Sequence, residues 1–153
     1  MRFLRKYYLF TTFLALSFTS CYDNVQSSIP DFPVYLELNL ISTYPTFLNS
    51  TLHCLTFETL SGLPITDRIG YGGILVCTGF EGEYTAYDMA CPYEAKRNIR
   101  VHPNGIGQAV CDSCGSVFDI GYGFGSPISG KAKQPLKRYK TTLSSNILYV
   151  TPL

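Results

Sequence analysis

With 153 residues, 46% of them hydrophobic, the chain is one domain's worth of sequence with ample apolar content for a core. Its 12 lysines and arginines against 11 acids leave a net charge of +1, which argues against nucleic acid as a partner and against an acidic cation store. The aromatic residues are tyrosine and phenylalanine without tryptophan, and the sequence has no low-complexity run and no internal repeat.

In chain order, the first segment sets Arg2, Arg5 and Lys6 ahead of an apolar stretch from Tyr7 to Phe18. That stretch is too short to cross a bilayer comfortably and has the charge bias of a secretion signal. It ends in Phe18-Thr19-Ser20-Cys21, small residues before a cysteine, which resembles a lipobox. The resemblance implies a lipoprotein signal peptide over residues 1–20 and a diacylated Cys21 as the mature N-terminus. Cleavage at another site, or retention as an anchor helix, are the alternatives. Tyr22 to Pro30 is polar, so residues 21–31 are expected to form a tether and residues 32–153 the domain.

Strand patterns fill the domain, and no stretch carries a helical period. Val34, Leu36, Leu38 and Leu40 alternate with Tyr35, Glu37 and Asn39, which predicts a half-buried strand. Thr51 to Thr59 alternates less cleanly, within a region from Ile41 to Pro64 that reads as an insertion with its own strands. Ile74 to Cys77 and Tyr84 to Tyr87 flank the Gly79–Gly82 turn and predict a hairpin. Ala109-Val110, Val117 to Asp119 and Ile147 to Val150 predict three further strands, with turn residues recurring between them as in a small sandwich or barrel. Val101 to Gly105 reads as a turn.

Two cysteine loops stand out: Cys91-Pro92-Tyr93, and Cys111-Asp112-Ser113-Cys114-Gly115-Ser116-Val117-Phe118. They bring soft ligands to two neighbouring loops, as a metal or iron–sulfur centre requires. The second continues into Gly125-Ser126-Pro127-Ile128-Ser129-Gly130 and Gln134-Pro135-Leu136-Lys137-Arg138-Tyr139. This run resembles the end of a Rieske domain, whose ligand pattern is C-x-H followed by C-x-x-H-G-S-x-F or Y. The resemblance extends from about Gly72 to Pro152 and implies an all-β, Rieske-like small sandwich or barrel with both cysteine loops at one tip. Such domains hold a [2Fe-2S] cluster, and Cys91 and Cys111 match the thiolate pair on one iron. Both histidines are replaced, with Tyr93 and Cys114 at their positions. Ser116 matches the serine that hydrogen-bonds the cluster, while Phe118 stands where high-potential members have a tyrosine. Lys96 and Ser113 stand where respiratory members have an extra disulfide. Thiolate and phenolate in place of imidazole add negative charge, so a cluster here is expected at low potential.

Other chemistry is open to the same residues. Cys91 could bridge to Cys111 or Cys114 as a disulfide, Cys111 and Cys114 form a C-x-x-C pair, and zinc could take the three thiols with Tyr93 or His102 as fourth ligand. Cys54 and Cys77 lie on apolar strands, as core thiols or a disulfide. Asp88 and Glu94 flank the first loop and read as solvated carboxylates. Lys131, Lys133, Lys137, Arg138 and Lys140 form a basic cluster, either solvated or a docking face. The implied function is a lipid-anchored one-electron carrier for an envelope redox partner, attached to the membrane through Cys21 and without a catalytic site of its own. The alternative is a cluster-free interaction or structural module with a disulfide or zinc at its loop tip.

Overall fold

The computed structural model describes residues 27–153, so the expected signal segment, Cys21 and the tether as far as Gln26 lie outside the described residues. The described chain is all-β. In order, the strands are β1 (Val34–Asn39), β2 (Cys54–Phe57), β3 (Arg68–Ile69), β4 (Ile74–Thr78), β5 (Tyr84–Asp88), β6 (Val101–Pro103), β7 (Gln108–Cys111), β8 (Val117–Asp119), β9 (Ser126–Ser129), β10 (Arg138–Ser144) and β11 (Ile147–Thr151). They form a seven-stranded sheet, β2-β4-β5-β10-β11-β1-β3, and a four-stranded sheet, β6-β7-β8-β9.

The first strand forms as its alternation dictates: Val34, Leu36 and Leu38 are buried, while Glu37 and Asn39 face out. It pairs with β11 from the far end of the domain, Leu36 opposite Val150 and Leu38 opposite Leu148. Strands β10 and β11 form a hairpin through Ser145 and Asn146, whose φ angles of 49° and 64° fit the two-residue turn that matches strand twist.

Strands β4 and β5 do not alternate, because both of their faces are covered. Ile74, Val76 and Ala86 join one core with β1, β10 and β11 residues, whereas Leu75, Cys77 and Tyr87 join a second core against the small sheet. Every residue of β4 is buried as a result, which explains its unbroken apolar run. Cys54 and Cys77 face each other across β2 and β4 and form a disulfide. The bond clips an edge strand to the doubly buried wall.

The small sheet carries the cysteine loops. Its side of the second core contains Val101, Ala109, Cys111, Phe118 and Ile120, with Cys91 and Cys114 in the same cluster. The expected turn at Val101 to Gly105 contains strand β6, and the glycine–proline run after Gly125 contains strand β9. Ser28 to Asp31, assigned to the tether from sequence, pack onto this end: Ile29 is buried, and Ser28 Oγ donates to Pro92 O at 2.6 Å.

Candidate metal centre

Each cysteine loop is a single turn closed on its own first residue. In the first, Ala95 N–H donates to Cys91 O at 2.8 Å. In the second, Gly115 N–H donates to Cys111 O at 2.8 Å. Cys91 N–H is bonded to Ile99 O and Cys111 N–H to Ser116 O, so each leading cysteine is also anchored to the chain leaving its loop. The two turns meet with their thiols inward. Cys91, Cys111 and Cys114 are free, and their Sγ atoms all lie within 4.8 Å of one another. The Cys91 to Cys114 sulfur separation is 3.6 Å.

The surroundings differ from thiol to thiol. Burial pushes the Cys91 thiol up to about 12, with the Glu94 and Tyr93 amides pulling the other way. Burial also acts upward on Cys114, but the side chain and amide of Ser116, with contacts to Cys111 and Cys91, outweigh it and hold that thiol below its ordinary value. The cause is visible at Ser116. Its Oγ accepts N–H bonds from Lys131 (3.0 Å) and Ala132 (2.9 Å) and lies 3.1 Å from Cys114 Sγ. With both lone pairs engaged by amides, the hydroxyl hydrogen is left to donate to sulfur, which favours thiolate. Gly130 makes this approach feasible: a Cβ there would sit 2.4 Å from Ser116 Cα.

The other residues singled out from sequence fall around this group. Tyr93 is 51% exposed, and Lys131 Nζ lies over its ring at 5.8 Å. His102 is exposed on β6, while its neighbour Val101 faces the core. Strand alternation turns the imidazole away from the cysteine side. Phe118 is a buried core residue. Lys137 is engaged rather than free, donating to Ile29 O, Pro30 O and Asp31 Oδ1.

Asp88 corrects the sequence reading, for it is buried and fully bonded rather than solvated. Its carboxylate accepts from Tyr71 N, Gly72 N, Ala90 N and Tyr139 Oη. Ala90 immediately precedes Cys91, so this knot fixes the entry to the first loop. The sequence signal was its position at the end of an apolar strand, with the Gly72-Gly73 pair available to approach it. Glu94 is partly exposed and accepts a hydrogen bond from Ser113 Oγ at 3.1 Å, linking the two loops.

No protein-family model and no curated protein matches the chain. Among solved structures it is similar to a chain from a complex of reduced oxygenase and oxidized ferredoxin in carbazole 1,9a-dioxygenase, at 13% identity and a TM-score of 0.47. The match covers 78% of this chain and 94% of that one. The all-β fold rests on the strands and registers given above.

Proposed function

We propose that the protein is a metal-binding module of the bacterial cell envelope, lipid-anchored through Cys21, with one tetrahedral ion clamping its two loops into a presented tip. The observation that carries this reading is the set of three free, buried thiols gathered within 4.8 Å. Three thiols gathered this closely on two adjoining turns form a soft ligand set of the kind zinc and iron take.

The spacing favours one ion over two. With metal–sulfur bonds of about 2.3 Å, two ligands on one tetrahedral centre stand about 3.8 Å apart. The Cys91 and Cys114 sulfurs, at 3.6 Å, fit such an edge. The division implied by the Rieske resemblance would put Cys114 on the second iron, across the cluster from Cys91. Zinc suits a thiolate-rich tetrahedral site and has no redox chemistry, so its role would be to hold the tip for a partner.

A second reading, one-electron transfer by iron in the same site, draws on the site's shallow placement. Cys114 lies beside the exposed Gly115 and close to the chain carrying exposed Lys131, so an electron would have a short path to an envelope partner.

Metal and acid-labile sulfide analysis of the full chain, extracted in detergent after anaerobic expression, tests both readings. One zinc per chain in a colourless protein supports the first, and one iron with a visible thiolate spectrum and no sulfide supports the second. Two irons with two sulfides would overturn the single-ion reading. A protein that holds no metal, even after incubation with zinc or ferrous iron, would overturn metal binding.

A further inference from the structure

Three thiolates leave one corner of a tetrahedron open, and we propose that Glu94 fills it; this inference rests on the single-ion reading above. The two loops are copies of one turn. Each closes with an N–H bond from its fifth residue to the carbonyl of its leading cysteine, at 2.8 Å in both. Each fifth residue is left-handed, Ala95 at φ 50° and Gly115 at φ 71°. Alanine disfavours that conformation, so the first loop adopts the turn against the preference of its own residue. Position four of the second loop is Cys114, whose sulfur belongs to the thiol group. Position four of the first loop is Glu94.

The carboxylate is already directed across the tip, for Glu94 Oε1 accepts from Ser113 Oγ, on the residue before Cys114. Joining the metal requires it to exchange that hydrogen bond for a bond to the ion, by side-chain rotation within a partly exposed loop. The other candidate donors are less suited. Asp88 has four donors on its carboxylate. His102 lies on the outward face of β6 and His53 packs edge-on to Phe47. Carboxylate oxygen is among zinc's usual donors and a phenol is not, which sets Glu94 ahead of Tyr93. Three sulfurs and one carboxylate oxygen form a ligand set that zinc accepts.

Zinc affinity of the full chain, measured by competition with a chromophoric chelator, and the absorption spectrum of its cobalt-loaded form test the assignment. Glu94→Ala and Glu94→Gln should each weaken zinc binding at least about tenfold, and Ser113→Ala, which releases the carboxylate, should not weaken it. Glu94→Cys should restore affinity and raise the thiolate-to-cobalt charge-transfer band by about one third, as a fourth sulfur joins three. Far-UV circular dichroism checks that each variant is folded. Wild-type affinity and an unchanged cobalt spectrum in Glu94→Ala and Glu94→Gln, with binding lost in Cys91→Ser, would overturn the role of Glu94 and leave the three-thiolate site standing. Weakened affinity without the spectral change in Glu94→Cys would also overturn it, making Glu94 a positioning residue. Failure of the wild-type chain to bind either ion would overturn the metal reading itself.

Discussion

Replacing Asp88 by asparagine should be among the most damaging conservative changes in the domain. Oδ1 accepts from Gly72 N (2.9 Å) and Ala90 N (2.8 Å), and Oδ2 from Tyr71 N (2.8 Å) and Tyr139 Oη (2.6 Å). A carboxylate offers about four acceptor sites, and all are taken. Whichever way an asparagine is turned, its NH₂ group confronts two of these donors. Two hydrogen bonds to a charged acceptor, at about 1.5–3 kcal/mol each, give a cost of about 3–6 kcal/mol. Release from burying a charge offsets part of this, leaving about 3–5 kcal/mol, a large share of an ordinary domain's stability. Tyr139→Phe removes one bond and should cost about 1.5–3 kcal/mol. Urea unfolding followed by circular dichroism, with chelator present so that metal adds nothing, measures both changes. The double variant should cost less than the sum, because the two residues share a bond. An Asp88→Asn cost under about 0.5 kcal/mol would refute the reasoning. Burial, followed by the charge of Asp88 and its hydrogen bond, holds the Tyr139 phenol well above its ordinary range. Below pH about 10 that phenol is protonated in both folded and unfolded states, so its contribution is fully present. Above it the unfolded state loses its proton first, stability falls as pH rises, and Tyr139→Phe should flatten that fall.

Removing the disulfide by a Cys54→Ala, Cys77→Ala double change should cost about 3.5 kcal/mol from the loop it closes, read as a shift in urea midpoint. Asp67 is buried with Oδ2 unpartnered, and burial, then the charge of Glu37, raises its carboxyl pKa. A raised folded-state value means that the ionised form destabilises the fold at neutral pH, with relief as pH falls through that value. Asp67→Asn should therefore stabilise by about 1 kcal/mol at pH 7 and gain less in acid, as chemical denaturation at two pH values would show. In metal-free protein, iodoacetamide should modify Cys114 before Cys91, since Ser116 favours the thiolate of one and burial suppresses that of the other. Peptide mass mapping over time gives the order, and Ser116→Ala should slow the first modification.

What the sequence disclosed follows from which faces are buried. Strand β1 has one face on the core and announces itself by alternation, and the β4–β5 hairpin was legible from its glycines and apolar runs. Strands β6 and β9 were hidden by Pro103 and Pro127, which normally argue against a strand. They are the two edges of the small sheet, where a missing N–H costs no interior ladder bond. Strand β10 was hidden because Tyr139 alone among its residues is buried, too faint a signal for a period. At the site, cysteine spacing predicted a thiol group, which the fold assembles. The repeat of one turn in both loops is a property of backbone angles, and an alanine at the left-handed position gives no hint of it in sequence. Asp88 looked solvated because three of its four donors, Tyr71 N, Gly72 N and Tyr139 Oη, come from segments distant in the chain.

The pairing of β1 with β11 has a consequence for how the domain is made. Among the described strands, the principal hydrogen-bonding neighbour of the first is the one synthesised last. Until then Val34, Leu36 and Leu38 have half a ladder to offer and no partner on that side. Such end-to-end closure gives the chain a high contact order, so folding should be slow, and the unclosed intermediate should present a sticky apolar edge. A chain truncated before Ile147 would lack that partner strand. Partial synthesis would then yield a substrate for chaperones or proteases rather than a smaller version of the same protein.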